Sequence, residues 1–218
     1  GLKEPQMYRE ALAGKLKAMY IIGYDPAATQ ANINHVRSAM KNLELLVVQE
    51  LFMTETAKLA HVVLPAGCFF EKDGTFTNAE RRVRRLNQAI PLPKGTKHDW
   101  EIICLIANAM GYPMHYNHPG EIMVEIASLT PEFAGIDFKR LEGDGLVWPV
   151  WDKKHPGTPI LHKDTFTRGK GRFNDLLYTP SEELPDDSYP LCLTTGRRLY
   201  HYNNGSMSLR NPEICLSR

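Results

Sequence analysis

Ala18-Met19-Tyr20-Ile21-Ile22-Gly23-Tyr24-Asp25-Pro26 decides the fold class: an apolar run stops at a glycine, an aspartate and a proline, which reads as a buried strand entering a turn. Working outward, residues 29–43 carry Ile33, Val36, Met40 and Leu43 at spacings of three and four, the mark of a helix with one buried face. Residues 45–48 form a second apolar run, followed directly by Gln49-Glu50, and residues 54–60 suit a short helix. Residues 61–64 read as a third strand stopped by Pro65, since proline cannot continue a central ladder. Strands alternating with helical segments predict an α/β fold, a doubly wound and mostly parallel sheet with helices on both faces.

Beyond the third strand the pattern changes. Thr75, Phe76 and Thr77 are strand-like beside Asp73-Gly74, a dipeptide suited to a tight turn with positive φ, so an irregular loop or hairpin is expected. Asp99 is a good N-cap for a helix running through Met110, with Ile102, Ile103, Ile106 and Met110 as its buried stripe and Gly111 as its stop. From residue 112 to 190 the chain is rich in proline, glycine and turn signals, with one further helix near residues 120–129. Residues 143–185 are too apolar for plain disorder and too broken for regular elements, as expected of a long connection packed over a larger body. Residues 189–195 predict the return of a strand.

Composition bounds function by exclusion. Lys and Arg number 26 against 25 Asp and Glu in 218 residues, and a net charge of +1 supplies no field that would draw nucleic acid or an anionic membrane. Lys3, Glu4, Gln6, Arg9 and Glu10 interrupt any signal-like stretch, and no apolar run approaches the roughly 18 residues of a membrane span. Cys68, Cys104, Cys192 and Cys215 show no CxxC spacing, which argues against a metal motif or disulfide framework and favours a reducing compartment. GxGxxG after the first strand and GxxxxGK[ST] are both lacking, so neither a nicotinamide site nor a P-loop has support.

Ligands of open parallel sheets bind beyond the carboxyl ends of the strands. Those ends are Gly23-Tyr24-Asp25-Pro26, Gln49-Glu50 and Pro65-Ala66-Gly67. Asp25 and Glu50 are acceptors for an amino group or ribose hydroxyls, Gln49 donates and accepts, Gly23 admits close backbone approach, and Thr29 can cap the next helix or bond a ligand. Each of these residues is also an ordinary turn residue, and taken singly that reading is favoured. A second candidate is Asn78-Ala79-Glu80-Arg81-Arg82-Val83-Arg84-Arg85 beside Lys72, suited to phosphates, although a solvated face or ion-pair network with Glu71, Asp73 and Glu80 is the favoured reading. A third is the polar loop from Thr194 to Met207, in which His201, Tyr200 and Tyr202 read first as structural residues. No nucleophile or acid/base arrangement stands out.

Together these segments resemble the third domain and the start of the fourth domain of molybdopterin-dependent oxidoreductases, closest to formate dehydrogenase. The resemblance rests on Val47-Val48-Gln49-Glu50-Leu51-Phe52-Met53-Thr54-Glu55-Thr56-Ala57, His61-Val62-Val63-Leu64-Pro65, Glu71-Lys72-Asp73-Gly74-Thr75-Phe76-Thr77-Asn78-Ala79-Glu80-Arg81-Arg82 and Leu193-Thr194-Thr195-Gly196-Arg197 through His201-Tyr202. Met110-Gly111-Tyr112-Pro113-Met114-His115-Tyr116 looks especially like formate dehydrogenases. The resemblance implies three parts: an α/β dinucleotide-binding domain over residues 1–135, an irregular connection over 136–187, and the truncated start of a C-terminal β-barrel domain over 188–218.

It further implies that Gly23, Asp25 and Thr29 belong to a first dinucleotide-binding loop, and that Gln49, Glu50, Lys72 and Asp99 contact the cofactor. Thr195, Gly196, Arg197 and His201 would close over a pterin, while Arg81 and Arg82 form structural ion pairs. The implied cofactor is bis-molybdopterin guanine dinucleotide with molybdenum or tungsten. A 4Fe-4S cluster, the metal ligand and the catalytic histidine lie upstream in the family, so the segment has no catalytic residue or metal ligand of its own and is expected to be inactive alone. The complete enzyme would oxidise formate to CO2 and pass electrons to iron-sulfur or flavin subunits. The expected compartment is the cytoplasm, with the periplasm as the alternative. Two other readings stay open: a sister enzyme such as a nitrate reductase, and a structural electron-transfer subunit of this fold that has lost the pterin.

Overall fold

The computed structural model describes residues 1–181, 183–196, 198–201 and 204–215. They fall into two compact units, Gly1–Pro159 and Ile160–Arg218.

The first unit opens with α1 (Glu4–Leu12), whose start is closed by the Lys3 amide donating to Gln6 Oε1 at 2.9 Å. β1 (Ala18–Ile22) follows, then the single turn α2 (Pro26–Thr29), α3 (Ile33–Lys41), β2 (Leu45–Glu50) and β3 (Val62–Pro65). Asn32 caps α3 by accepting from the His35 amide at 3.1 Å, so the helix expected over 29–43 begins only at Ile33, with α2 a separate turn ending at Thr29. The three strands are parallel in the order β1-β2-β3, registered Ala18↔Leu45 to Ile22↔Gln49 and Val47↔Val62 to Glu50↔Pro65. This is the parallel sheet of an α/β fold that the alternation of segments predicts.

Strand alternation sorts the side chains. Met19, Ile21, Leu46, Val48 and Val63 meet Tyr8 and Ala11 of α1 and Val36, Ala39 and Met40 of α3 in one core. Met40 and Leu46 are fully buried, so truncating either to Ala costs about 2–5 kcal/mol. On the opposite face Tyr20, Ile22, Leu45 and Val62 are each 40–44% exposed.

β4 (Gly74–Thr77) and β5 (Arg82–Leu86) form an antiparallel hairpin, with β6 (Leu146–Val147) added on the outer side of β5. The turn is not at Asp73-Gly74 as the dipeptide suggested. It lies at residues 78–81, where Asn78 Oδ1 accepts from the amides of Glu80 (3.1 Å) and Arg82 (2.9 Å) and Arg81 takes a φ of 66°. A second core gathers Val83, Met123, Ile136, Leu141 and Val150. Two arginines organise the irregular chain around it through backbone carbonyls. Arg81 donates to Trp148, Thr158 and Pro159, and Arg140 to Gly135, Asp152 and His155.

α4 (Asp99–Ala109) ends as expected at Gly111, with φ 84°, and α5 (Pro119–Leu129) follows. The predicted stripe of α4 is only partly buried: Ile102 and Cys104 are covered, whereas Ile103 is 39% and Met110 81% exposed. The periodicity marks an apolar face, but the described residues cover only its inner edge.

The second unit contains a tight turn in which Phe166 and Gly169 exchange backbone bonds, a 3-10 turn at Ser208–Arg210, and α6 (Pro212–Cys215). The strand expected at residues 189–195 is not formed. Leu191 and Leu193 are about nine-tenths exposed, and a strand exists only when its amides and carbonyls find a neighbouring ladder. Among the described residues no barrel closes.

Candidate functional site

Because β1, β2 and β3 run parallel, their carboxyl ends open on one side, and the loops leaving them are neighbours. Gly23 extends the ladder one step past β1, its amide donating to Gln49 O at 2.9 Å. Its φ of 59° is one that residues with a Cβ rarely adopt, and the volume a Cβ would enter there is empty to 4 Å. Asp25, in the same loop, is buried and its Oδ1 accepts from Thr56 N at 2.8 Å and Thr56 Oγ1 at 2.6 Å. Thr56 Oγ1 in turn accepts from Ala27 N at 3.0 Å, so the pair pins the loop after β1 to the loop after β2. Thr29 Oγ1 donates to the carbonyl of Asp25 at 2.9 Å. Asp25 and Thr29 thus serve the architecture of the turn.

The polar centre lies one loop across. Gln49 is fully buried at the end of β2; its Nε2 donates to Asp99 Oδ1 at 2.7 Å and its Oε1 accepts from the Tyr20 hydroxyl. Lys72 Nζ, on the residue that ends the 3-10 turn Phe69–Glu71, donates to Asp99 Oδ2. Asp99 comes within reach because the chain before α4 is tied to the end of β3: Ala66 bridges Lys97, and the Gly67 amide donates to Lys97 O at 3.2 Å. Glu50 is also buried and accepts from the Leu51 amide at 2.8 Å.

One assignment needs correction. Asp99 was expected to be the N-cap of its helix, but His98 occupies that position in extended conformation, and its amide donates to Glu101 Oε2 at 3.0 Å. Glu101 closes the helix start, which releases the Asp99 carboxylate to face Gln49 and Lys72. The Lys72 and Asp99 side chains are about one-third exposed, so the pair stabilises the fold by no more than about 1 kcal/mol. Its value is positional. Burial, and then the nearby Asp99 carboxylate, push the Tyr20 phenol above its ordinary value, which keeps it a proton donor.

The arginine run does not gather into a phosphate clamp. Arg82 pairs with Glu80 at 3.0 Å, and Glu80 is held below its ordinary pKa first by Asn78 and then by Arg82. Arg81 spends its guanidinium on carbonyls rather than on the ion pair expected of it. Arg85 points the other way, 4.8 Å from the Phe138 ring centroid. The strand explains this divergence, since successive side chains of β5 leave on opposite faces.

A cavity of about 540 Å³ runs along the free edge of β1, lined by Met7, Tyr8, Tyr20, Ile22 and Tyr24 among others. A smaller one of about 330 Å³ lies beside α4 and takes in Met114, His115 and Tyr116, a segment that Asn108 anchors through Met114 O at 2.8 Å and Met114 N at 3.2 Å. In the second unit Thr195 and Gly196 are exposed and His201 Nδ1 lies 2.9 Å from Ser208 Oγ. Arg197, with Tyr202 and Asn203 of the same loop, falls outside the described residues. Among the described residues no three His, Cys, Asp or Glu side chains gather as metal ligands, and no helix is long and apolar enough to cross a membrane.

Of the predicted site residues, Gly23, Gln49, Lys72 and Asp99 therefore come together by the strand ends, with Glu50 closing β2, Asp25 in the turn after β1 and Thr29 at the end of α2. Two participants escaped the sequence reading, Tyr20 and Thr56. Tyr20 had a usable signal: it shares a sheet face with Val47 and Gln49 by the period of two and the parallel register. Thr56 had none beyond its place in a short helical stretch.

The strand ends of this parallel sheet gather an acid, an amide and a lysine in one hydrogen-bonded network, and comparison with known proteins gives the class. Residues 2–109 match the family described as molybdopterin oxidoreductase. The chain belongs to the molybdopterin oxidoreductase family. It is 47% identical over 218 residues to the F420-dependent formate dehydrogenase 2 subunit alpha of Methanococcus maripaludis, covering 98% of this chain and 32% of that protein. It is 47% identical over 215 residues to the F420-dependent formate dehydrogenase subunit alpha of Methanocaldococcus jannaschii, covering 96% and 32%. The chain thus spans about a third of the length of these curated relatives. Among solved structures, acetylene hydratase from Pelobacter acetylenicus shares the fold with a TM-score of 0.51 at 21% identity, over 61% of this chain and 19% of that one.

Proposed function

We propose that this chain is the cofactor-cradling segment of a formate dehydrogenase catalytic subunit, holding the dinucleotide end of a bis-molybdopterin guanine dinucleotide that carries molybdenum or tungsten. The observation that supports it is the Gln49–Asp99–Lys72 constellation at the carboxyl ends of parallel strands. The residues fit such a group on chemical grounds. An ionised carboxylate has about four acceptor sites, and two of those on Asp99 are used internally, leaving room for N–H donors of a guanine edge. Lys72 supplies positive charge for a phosphate, and the space a Cβ would enter at Gly23 is open. Gln49, Glu50, Asp25 and Thr29 complete the proposed cradle around the strand ends; Thr195, Gly196, Arg197 and His201 are proposed as cofactor-binding residues on the family resemblance alone.

When bound, the metal–pterin group supplies the two-electron chemistry on formate, while the residues of this chain bind it, orient it and exclude water around it. The formate assignment rests on the named activity of the relatives. A 4Fe-4S cluster and iron-sulfur or flavin partner subunits complete the proposed electron path, and the proposed compartment is the cytoplasm. Residues 1–135 would form the dinucleotide-binding domain and residues 188–218 the start of the next.

The test is metal analysis of the complete protein together with formate-dependent reduction of a viologen dye, and of F420, the carrier named in both relatives. Stoichiometric Mo or W with formate-dependent reduction is the expected result. Absence of both metals sinks the reading.

A further inference from the structure

Gln49 poses an orientation problem. Its amide is fully buried, and its oxygen and nitrogen ends have nearly the same shape, so the network alone decides which end faces Asp99. With Nε2 toward Asp99 the contact is a charge-assisted hydrogen bond; with Oε1 there instead, an amide oxygen would sit against a carboxylate oxygen. Something must hold the oxygen end. The Tyr20 hydroxyl meets Gln49 Oε1, and a phenol whose pKa lies above its ordinary value stays a donor throughout the physiological range. Tyr20 is fixed in turn by the ladder, where it pairs in register with Val47 in the centre of β1. Its ring lines the wide groove along the edge of β1 and fills no core position, so removing the hydroxyl alone leaves no cavity.

We infer that Tyr20 is a positioning residue of the cofactor site: by donating to Gln49 Oε1 it locks the amide in the orientation that donates to Asp99, which sets the direction of the acceptor sites Asp99 offers a guanine-type dinucleotide. This rests on the cradle reading above and adds a residue that does not itself touch the ligand.

The experiment uses the complete enzyme, purified with its cofactor, as wild type and as Y20F, Q49L, Y20F/Q49L and K72M. Two quantities are read: guanine nucleotide released by acid per protein, and the rate at which metal and nucleotide are lost during prolonged dialysis in dilute urea. Thermal midpoints confirm folding. Losing one net hydrogen bond of about 1 kcal/mol predicts that Y20F releases cofactor about fivefold faster at an unchanged midpoint. Because Tyr20 acts through Gln49, adding Y20F to Q49L should change nothing further, a non-additive cycle that a merely structural tyrosine would not give. If K72M loses cofactor while Y20F keeps the wild-type rate, or if Y20F and Q49L add, the inference is overturned and the cradle stands. If K72M and Q49L both retain cofactor as wild type does, the cradle itself is wrong and the inference goes with it.

Discussion

Asp99 shows how much one side chain's position depends on its neighbours. It begins α4 without capping it, because Glu101 takes that duty, and its carboxylate is spent instead on Gln49 and Lys72. Asp99→Asn keeps the shape but presents an amide to two donors. In the complete enzyme it should lower cofactor content about tenfold by metal analysis, since charge-assisted bonds are worth about 1.5–3 kcal/mol. Thr56 makes a different prediction, because its hydroxyl serves Asp25 and Ala27 inside the protein. Thr56→Val should cost about 1–3 kcal/mol in urea unfolding, and Thr56→Ser should recover most of it. Asp137 carries an acid-side signature: first the Lys153 ammonium at 2.7 Å, and then the Arg140 amide, hold its carboxyl below the ordinary value of 3.8. A depressed folded pKa contributes stability above the unfolded value and loses it as pH falls through the folded one. The stability difference between wild type and Asp137→Asn should therefore shrink as pH is lowered below about 4, read from urea midpoints across that range.

At the scale of elements, the β4–β5 turn is the sharpest case. Arg81 combines a left-handed backbone with a guanidinium bound to the carbonyls of Trp148, Thr158 and Pro159. Arg81→Ala loses the clamp and keeps the backbone strain, whereas Arg81→Gly loses the clamp and relieves the strain. Chemical denaturation should find the glycine variant more stable than the alanine variant by about 1 kcal/mol. The same turn explains where sequence reading fell short. Asp73-Gly74 is the stronger local turn signal, but the actual turn is closed by the Asn78 side chain and by contacts to residues some 70 positions away, which no local pattern carries. The parallel sheet was legible because apolar runs ending in Gly, Gln-Glu and Pro are local facts. Gln49 was reached from its place at a strand end, Lys72 and Asp99 through family resemblance, and Tyr20 was missed because apolar neighbours made it look like another buried strand residue. The strand expected at residues 189–195 failed for the opposite reason: propensity was present, and among the described residues no neighbouring strand pairs with it.

Across the whole molecule, one face of the β1–β3 sheet is packed and the other presents Tyr20, Ile22, Leu45 and Val62 to solvent. Contiguous apolar surface of this kind promotes association. The 218-residue chain expressed by itself should run larger than a monomer on size-exclusion chromatography with light scattering, and Leu45→Lys with Val62→Thr should shift it toward monomer. The bridge between Ala66 and Lys97 has a consequence in time rather than in space. Gln49 is made fifty residues before Asp99, so during synthesis the Gln49–Asp99–Lys72 network stays incomplete until residue 97 has emerged and docked at the end of β3. The Gly67 amide proton, held by Lys97 O, is then a clock for that network: its exchange with deuterium in the finished protein reports how often the Ala66–Lys97 link opens, with no ligand needed to ask the question.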